Sequence, residues 1–242
     1  MSKVQQINRR DFVKLFGLAS GGVLLGCTVS SDKKEFIPEV DGAFTPNLFI
    51  NIQKNGSITL IASRSEMGQG IRTSLASAIA DELEADWKYI TVKQATGNAK
   101  YGNQNTDGSR SVRTMLEPMR KMGATAKAML ISAAAKKWNI TEADCKAENH
   151  FIINKNTNDK IFFGDLVEEA SKVEIPSDET IILKKVEDFK YIGKTLKSVD
   201  LNDFTHGTAT YGIDVRIPNM KFAAIARCPV TFGTVKSFDK SD

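Results

Sequence analysis

Two glycine-rich turns, each placed directly before an apolar helical pattern, are the residues of this sequence best suited to chemistry. The first reads EMGQG at residues 66–70, and the second reads DGSRS at residues 107–111. A glycine-rich turn that opens a helix offers free backbone N–H groups and the positive end of the helix dipole, and both favour an anion such as phosphate. Two such turns in one chain favour a single shared anionic ligand.

Neither turn matches a common nucleotide-binding motif. The first is not G-x-G-x-x-G, because Thr73 stands where the third glycine belongs, and no Gly-Lys-Ser/Thr follows as in a P-loop. Each turn keeps a purely structural alternative: a plain turn for the first, and a helix N-cap supplied by Asp107 or Ser109 for the second. Nucleotide binding is the weakest hypothesis, because the lysine and the acidic ribose partner are both missing.

The first turn lies between a predicted hairpin and a predicted helix. Apolar runs at 48–53 and 57–63 flank Asn55-Gly56, which is a strong hairpin signal. After the turn, apolar residues spaced by four predict a helix over 71–85, and a strand at 89–94 follows it.

The second turn ends a Gly- and Asn-rich loop at 96–111 and leads into a helical pattern over 111–137. Pro118 inside this pattern is expected to kink the helix or to mark its first turn. Four methionines on one stripe suggest a soft-metal or promiscuous surface, but a buried core face is the far commoner explanation of such a stripe.

The rest of the chain predicts shorter elements. Strands are expected at 145–153 and 160–163, with a turn at 156–159 and a helix from 164 to 172. Residues 174–199 are interpreted as a linker with one strand at 180–183. A second, incomplete module is expected over 200–242. The predicted strands of this module are 208–215 and 221–227.

Composition excludes several classes of protein. The 242 residues are 41% hydrophobic, which suffices for one large domain or two small ones. The net charge is +4, and the first 27 residues, with four basic side chains and one acidic, supply +3 of it. The remainder has no basic field for nucleic acid. Two histidines, His150 and His206, exclude a three-His metal site and leave a Ser-His-Asp site unsupported.

The three cysteines exclude two further kinds of site. Cys27, Cys145 and Cys228 contain no C-x-x-C pair, so a zinc ribbon and a cysteine-ligated iron–sulfur cluster are not encoded. In an oxidising compartment Cys145 and Cys228 either pair or remain as two buried thiols, and their spacing does not decide between these.

The amino terminus resembles an export signal. Arg9-Arg10 precedes an apolar run of fifteen residues, which is shorter than the roughly 20 needed to span a bilayer. The paired arginines resemble a twin-arginine (Tat) signal, and Leu24-Leu25-Gly26-Cys27 resembles a lipobox with Cys27 as the lipidated residue. The alternative is an amphipathic, frayed terminus. Residues 1–27 are thus interpreted as a leader and 28–46 as a tether.

The segments around both turns resemble the molybdenum hydroxylase (xanthine dehydrogenase/aldehyde oxidase) family. They are SRSEMGQGIRTSLASAIADELEADWKYITV, TDGSRSV and the long helix that follows. The likeness is to molybdopterin-binding large subunits of the isoquinoline 1-oxidoreductase type, and it covers about 41–237. Residues 193–233 resemble the start of the family's α/β hammerhead domain. The implied fold is α+β: mixed sheets with packed helices over 47–173, then that incomplete hammerhead domain.

This resemblance implies a cofactor, partners and an activity. The family hydroxylates N-heterocycles or oxidises aldehydes with oxygen from water at a molybdenum centre. The cofactor is a molybdopterin, expected here as a dinucleotide. The implied partners are the rest of the large subunit and a small [2Fe-2S] subunit, with periplasmic localisation by Tat export and membrane contact only through a lipid on Cys27. The residues implied to bind the cofactor are Gly68, Gln69, Gly70, Gly108, Ser109 and Ser111.

The sequence also departs from the family. Large subunits continue for several hundred residues and carry a late general-base glutamate and a second glycine-rich cofactor loop, neither of which is present here. The resemblance gives neither Glu66 nor Glu117 the base role. We therefore expect an N-terminal fragment, a split-gene product or a truncated sequence that is inactive alone, with the face Met115–Met129 partly exposed and solubility poor. The alternative function is a non-enzymatic envelope lipoprotein that binds or scaffolds.

Overall fold

The computed structural model describes residues 43–239, so the predicted leader and most of the predicted tether lie outside the described residues. Within 43–239, no helix is both long enough and apolar enough to cross a membrane. The described residues form two compact units, divided between Val199 and Asp200. The first unit is α+β, with two sheets and packed helices.

Four strands form the sheet that leads to the first turn. They are β1 (Phe44–Asn47), β2 (Ile50–Ile52), β3 (Ile58–Ala62) and β4 (Ile90–Gln94), in that spatial order. β1, β2 and β3 pair antiparallel, which confirms the hairpin, and β4 runs parallel to β3. β1 also takes the last three residues of the predicted tether. The parallel pairing requires a crossover, which α1 (Ile71–Leu83) provides.

The hairpin turn depends on Gly56. Its φ of +81° lies in the left-handed region, and a Cβ there would lie 2.2 Å from the ring of Phe162. The turn is thus fixed both by backbone geometry and by packing against the second sheet.

The second helix, α2 (Ser111–Trp138), packs along α1 and forms the other half of the core. Gly123 allows the close approach, since a Cβ there would lie 2.4 Å from the carbonyl oxygen of Ile79 on α1. Pro118 lies inside α2 without ending it.

The methionine stripe of α2 is a core face. Met119, Met122 and Met129 are buried within the chain itself, so the expectation that this face is partly exposed is wrong for most of its length. Only its first turns stay open, where Val112 is 45% exposed. The helix α1 and the first sheet cover the rest, and no later domain is needed for that.

The second sheet has three strands where the sequence predicted two. They are β5 (Cys145–Glu148), β6 (Phe151–Asn154) and β7 (Lys160–Phe162), all antiparallel. Asn149 and His150 have positive φ and form a two-residue turn inside the predicted strand 145–153. The predicted helix at 164–172 is a 3-10 turn at Phe163–Leu166 followed by the short α3 (Val167–Ala170).

Residues 184–199, which we call the strap, are tied to the end of α1 and are not a free linker. The buried carboxylate of Asp81 accepts hydrogen bonds from the backbone N–H groups of Lys190, Tyr191 and Ile192 at 2.8–3.2 Å. Burial raises the pKa of Asp81, but these bonds and the ammonium of Lys184, 2.7 Å away, outweigh burial and lower it.

The neighbouring carboxylate of Glu82 ties the strap from the other side. It accepts from the backbone N–H of Lys184 at 3.0 Å and pairs with Arg120 of α2 at 2.7 Å. The strand predicted at 180–183 is wrong. Within the described residues, 180–183 pair with no strand, and the backbone N–H of Lys184 that follows them donates to the Glu82 carboxylate.

The second unit, described over 200–239, contains α4 (Leu201–His206) and a 3-10 turn at Gly212–Asp214. The strands predicted at 208–215 and 221–227 are absent from this described part. Their apolar residues, such as Ile213, Phe222 and Ile225, are exposed. An apolar run becomes a strand only where another strand completes its hydrogen bonds, and residues 200–239 offer none. Cys228 is exposed here and Cys145 is buried in the first unit, and both are free thiols.

The buried His150 makes the stability of the first unit depend on pH. Its Nδ1 accepts the backbone N–H of Asp86 at 3.1 Å, so its Nε2 carries the proton and donates to the Gly56 carbonyl at 2.9 Å. This arrangement fixes the neutral ring. Burial lowers the pKa of His150.

We predict that the free energy of unfolding falls as the pH drops below about 6.5, the unperturbed histidine value. The unfolded chain then binds a proton that the folded chain excludes, which costs at most about 1.4 kcal/mol per pH unit. Urea unfolding between pH 5 and 7.5 measures this dependence. His150→Phe should flatten it and His206→Gln should not; an equal slope in His150→Phe and the parent would contradict the assignment.

Candidate functional site

The residues that follow β3 contact the first glycine turn and the residues on both sides of the second. Ser65 donates its backbone N–H to the Thr106 hydroxyl at 2.9 Å, and that hydroxyl donates to the Ser65 carbonyl at 3.2 Å. Arg64 donates to the side chain of Asn103 and to the Thr114 hydroxyl on the first turn of α2. The structure therefore brings the two predicted turns side by side.

The first turn is closed by its own acid. Glu66 Oε1 accepts the backbone N–H groups of Gly68 and Gly70 at 2.8 Å each, and Oε2 accepts that of Arg72 at 3.2 Å. Partial burial raises the pKa of Glu66, but these bonds together outweigh burial and lower the pKa. The donors expected to bind an external anion are thus taken by a carboxylate of the chain.

The remaining first-turn residues keep an open face. Gly68 and Gly70 have φ of +96° and +82°, and no atom lies within 4 Å of where their Cβ atoms would be. Gln69 is folded over its own turn: its Oε1 accepts the Met67 N–H at 2.6 Å and its Nε2 donates to the Ser65 carbonyl at 3.1 Å. A flat ligand can approach the glycines, whereas Gln69 must rotate to reach it.

The second turn leaves the start of α2 without a capping side chain. Gly108 and Ser109 have positive φ, of 53° and 52°, and Asp107 pairs with Arg110 at 2.6 Å and does not cap the helix. The N-cap alternative for Asp107 or Ser109 is therefore wrong. Ser111 opens a helix of 28 residues whose first turn has no acidic residue. The N–H groups and the dipole of this end remain available to an anion.

A cavity of about 370 Å³ lies where the two helices and the strap meet. Gly70, Ser74 and Ser77 of the α1 side face Val112 and Leu116 of α2 across it. The first turn and the first residues of α2 therefore share a solvent-accessible space, although only Gly70 of the six predicted residues lines it.

Three contributors to this geometry do not follow from the sequence patterns. The patterns give Glu66 no part in closing the turn, they single out no role for Arg64, and they predict a linker where the strap lies. The sequence does carry a signal for Glu66: it stands two residues before the first glycine of Gly-x-Gly, and a carboxylate at that spacing can accept the glycine N–H in a local turn. Within residues 43–239, no group of three His, Cys, Asp or Glu side chains is arranged to hold a metal ion.

Comparison with known proteins assigns the family. A model of the molybdopterin cofactor-binding domain matches residues 2–220, most of the chain. The chain belongs to this family. The resemblance to molybdenum hydroxylases is confirmed by its relatives.

Three curated relatives are similar to the chain over nearly its whole length. The membrane-bound aldehyde dehydrogenase [pyrroloquinoline-quinone] of Gluconacetobacter polyoxogenes is 30% identical over 98% of the chain and 31% of that protein. The beta subunit of isoquinoline 1-oxidoreductase from Brevundimonas diminuta is 25% identical over 93% of the chain and 34% of that protein. The B subunit of nicotinate dehydrogenase from Pseudomonas putida is 30% identical over 95% and 19%.

Two solved structures match about half of the chain. Quinoline 2-oxidoreductase of Pseudomonas putida 86 matches 49% of the chain and 15% of that protein at 18% identity and a TM-score of 0.41. The CO dehydrogenase of Oligotropha carboxidovorans matches 48% and 15% at 24% identity and a TM-score of 0.42. The chain spans about a third of the length of the first two curated relatives.

We predict that Glu66→Ala lowers the free energy of unfolding by about 1–2 kcal/mol, because three backbone N–H groups lose a charged acceptor. Amide hydrogen exchange of Gly68 and Gly70 should accelerate in the same variant. Glu117→Ala removes an exposed carboxylate on α2 and should change neither quantity. Unchanged exchange at both glycines in Glu66→Ala would show that the carboxylate does not close the turn.

Proposed function

We propose that this chain forms part of the binding site for a molybdopterin cofactor in an oxidoreductase that hydroxylates N-heterocycles or oxidises aldehydes. The family match supports the cofactor, and the names of the relatives supply both substrate classes. The observation that carries the proposal is the uncapped start of α2, held beside the first glycine turn by Arg64 and Ser65.

The two turns suit different parts of such a cofactor. At the second turn, the N–H groups that open α2 and the hydroxyls of Ser109 and Ser111 suit a phosphate. At the first turn, the open faces of Gly68 and Gly70 allow a flat ring system to lie against the backbone. The second turn thus fits the phosphate of the cofactor as the structure stands. The first turn fits the ring system once Gln69 has rotated.

Molybdenum, when bound through its pterin, supplies the two-electron redox chemistry of the reaction. The described part of the chain contributes binding and orientation: the α2 end fixes the anion, and the glycine turn sets the distance of the ring from the sheet. Proton transfer from substrate requires a base, and we assign none to this chain. We propose that further residues of the large subunit supply it, that electrons leave through a [2Fe-2S] subunit, and that the cofactor is a dinucleotide.

The test is molybdenum and pterin content in protein purified from its own host, with variants placed in the native gene. We predict that Val112→Glu lowers both at least about tenfold, because its carboxylate occupies the start of α2. An acid there stabilises the helix by about 0.3–1 kcal/mol, so the fold persists.

Val112→Gln is the matched control, since it has the same shape without the charge and should retain the cofactor. Equal content in Val112→Glu and Val112→Gln would exclude an anion at the start of α2. A parent protein without molybdenum would exclude the proposed function and favour the envelope lipoprotein with a binding or scaffold role. The denatured mass of the same native polypeptide would show whether the chain is long enough to include the rest of the large subunit, where we place the base.

We propose periplasmic localisation through Tat export, with Cys27 lipidated, on the strength of Arg9-Arg10 and the lipobox-like Leu24–Cys27. Cys27→Ala should then release the protein from the membrane fraction into the soluble periplasm. Fractionation with labelled fatty acid measures both the anchor and the modification, and an unlabelled parent would exclude lipidation.

A further inference from the structure

Arg64 is a buried cation whose hydrogen-bond partners, among the residues the structure describes, are all neutral. It is only 4% exposed, and it donates to Asn103 Oδ1, the Asn105 carbonyl and the Thr114 hydroxyl. Its Nε is buried and has no hydrogen-bond partner within residues 43–239. Buried guanidinium groups are normally paired with an acid, because an uncompensated charge in the interior is costly.

The acids of the two glycine turns do not compensate Arg64. Asp107 is bound to Arg110 at 2.6 Å, and Glu66 is bound to the N–H groups of the first turn. Burial and the charge of Arg110 lower the pKa of Arg64, and Asp107 only partly opposes them. Arg113 adds another basic side chain in the first turn of α2. The start of α2 therefore has three arginines nearby and one aspartate.

The starts of the two core helices, α1 and α2, differ in whether an acid of the chain balances their positive charge. At α1 the chain places the Glu66 carboxylate on the N–H groups of Gly70 and Arg72. At α2 no side chain caps the helix and no acid occupies the first turn, while Arg64 donates to Thr114 there. One helix start is thus neutralised by the chain's own acid, and the other has an excess of positive charge.

We propose that Arg64 is a positioning residue that supplies the buried counter-charge for a phosphate oxyanion bound at the start of α2. It acts through its charge and by holding the 103–106 loop and Thr114 in place, and the N–H groups of Ser111, Val112 and Arg113 contact the anion. The inference rests on the proposed function in one respect: the biological oxyanion is the phosphate end of the cofactor. The site itself is tested without the cofactor.

The experiment titrates inorganic pyrophosphate, and CDP in parallel, into the full 242-residue chain. Backbone amide NMR should place the largest shifts at Ser111–Arg113, and the affinity should fall steeply with salt. Arg64→Gln should weaken binding about tenfold or more, as expected for the loss of a charge in a buried site. Arg64→Lys, which keeps the charge, should recover binding to within about threefold, a rescue that a purely structural role of the guanidinium fork does not predict.

Lys137→Gln, an exposed change of the same charge at the far end of α2, is the control and should bind as the parent does. Equal affinity of Arg64→Gln and the parent would overturn the inference, as would shifts centred elsewhere or no binding by the parent. If Arg64→Gln does not fold, the parent's shift pattern and Arg64→Lys decide. Tighter binding of CDP than of pyrophosphate would support a dinucleotide as the ligand. Equal binding of the two would support a ligand that ends in a simple phosphate.

The molybdenum content of the native protein separates the two proposals. Parent protein with molybdenum, together with pyrophosphate binding that ignores Arg64, would refute the role of Arg64 and leave the proposed function intact. Parent protein without molybdenum, together with Arg64-dependent pyrophosphate binding, would establish an oxyanion site and refute the molybdopterin assignment.

Discussion

The four residues Ser63–Glu66, at the carboxyl end of β3, are the constraint on which the candidate site depends. Ser65 pairs with Thr106, Arg64 reaches the loop and the first turn of α2, and Glu66 closes the first glycine turn. The hydrogen bonds of β3 with β2 and β4 fix where this segment starts. The positions of both turns therefore depend on β3, and a shift in the register of β3 would move both turns.

The helices behind the turns are held together by a second constraint, the buried pair Asp81 and Glu82. Buried carboxylates destabilise a fold unless cations and N–H groups satisfy them, and the strap and Arg120 do so here. The strap is consequently required by the core, because its removal would take from the buried Asp81 the N–H groups and the ammonium that satisfy it, and would leave Glu82 to its cations on α2. The same strap lines the cavity beside Gly70, so the element that completes the core also shapes the space next to the first turn.

Sequence periodicity predicted the elements whose signal is local. The Asn55-Gly56 hairpin, α1 and α2 follow from turn chemistry and apolar spacing, and the structure has them within a few residues of the expected bounds. The failures share a cause. The Asn149-His150 turn is not a common turn pair, and the runs at 180–183 and 208–227 are apolar without a pairing partner. Strand formation depends on a partner that the local sequence does not specify.

The sequence predicts the site as two glycine turns, but it does not predict that the two turns differ in charge. What distinguishes them is charge: Glu66 is the first residue of its own turn and folds forward over it, whereas Arg64 reaches Asn105, 41 residues further along the chain and just before the second turn. The interaction of Glu66 with its turn is local and can be predicted from sequence spacing, whereas that of Arg64 with the distant loop cannot. A carboxylate on one helix start repels an anion there, while a buried guanidinium with neutral hydrogen-bond partners favours an anion at the other. If the cofactor is bound as proposed, this asymmetry sets its orientation, with the uncharged ring at the glycines and the phosphate at α2.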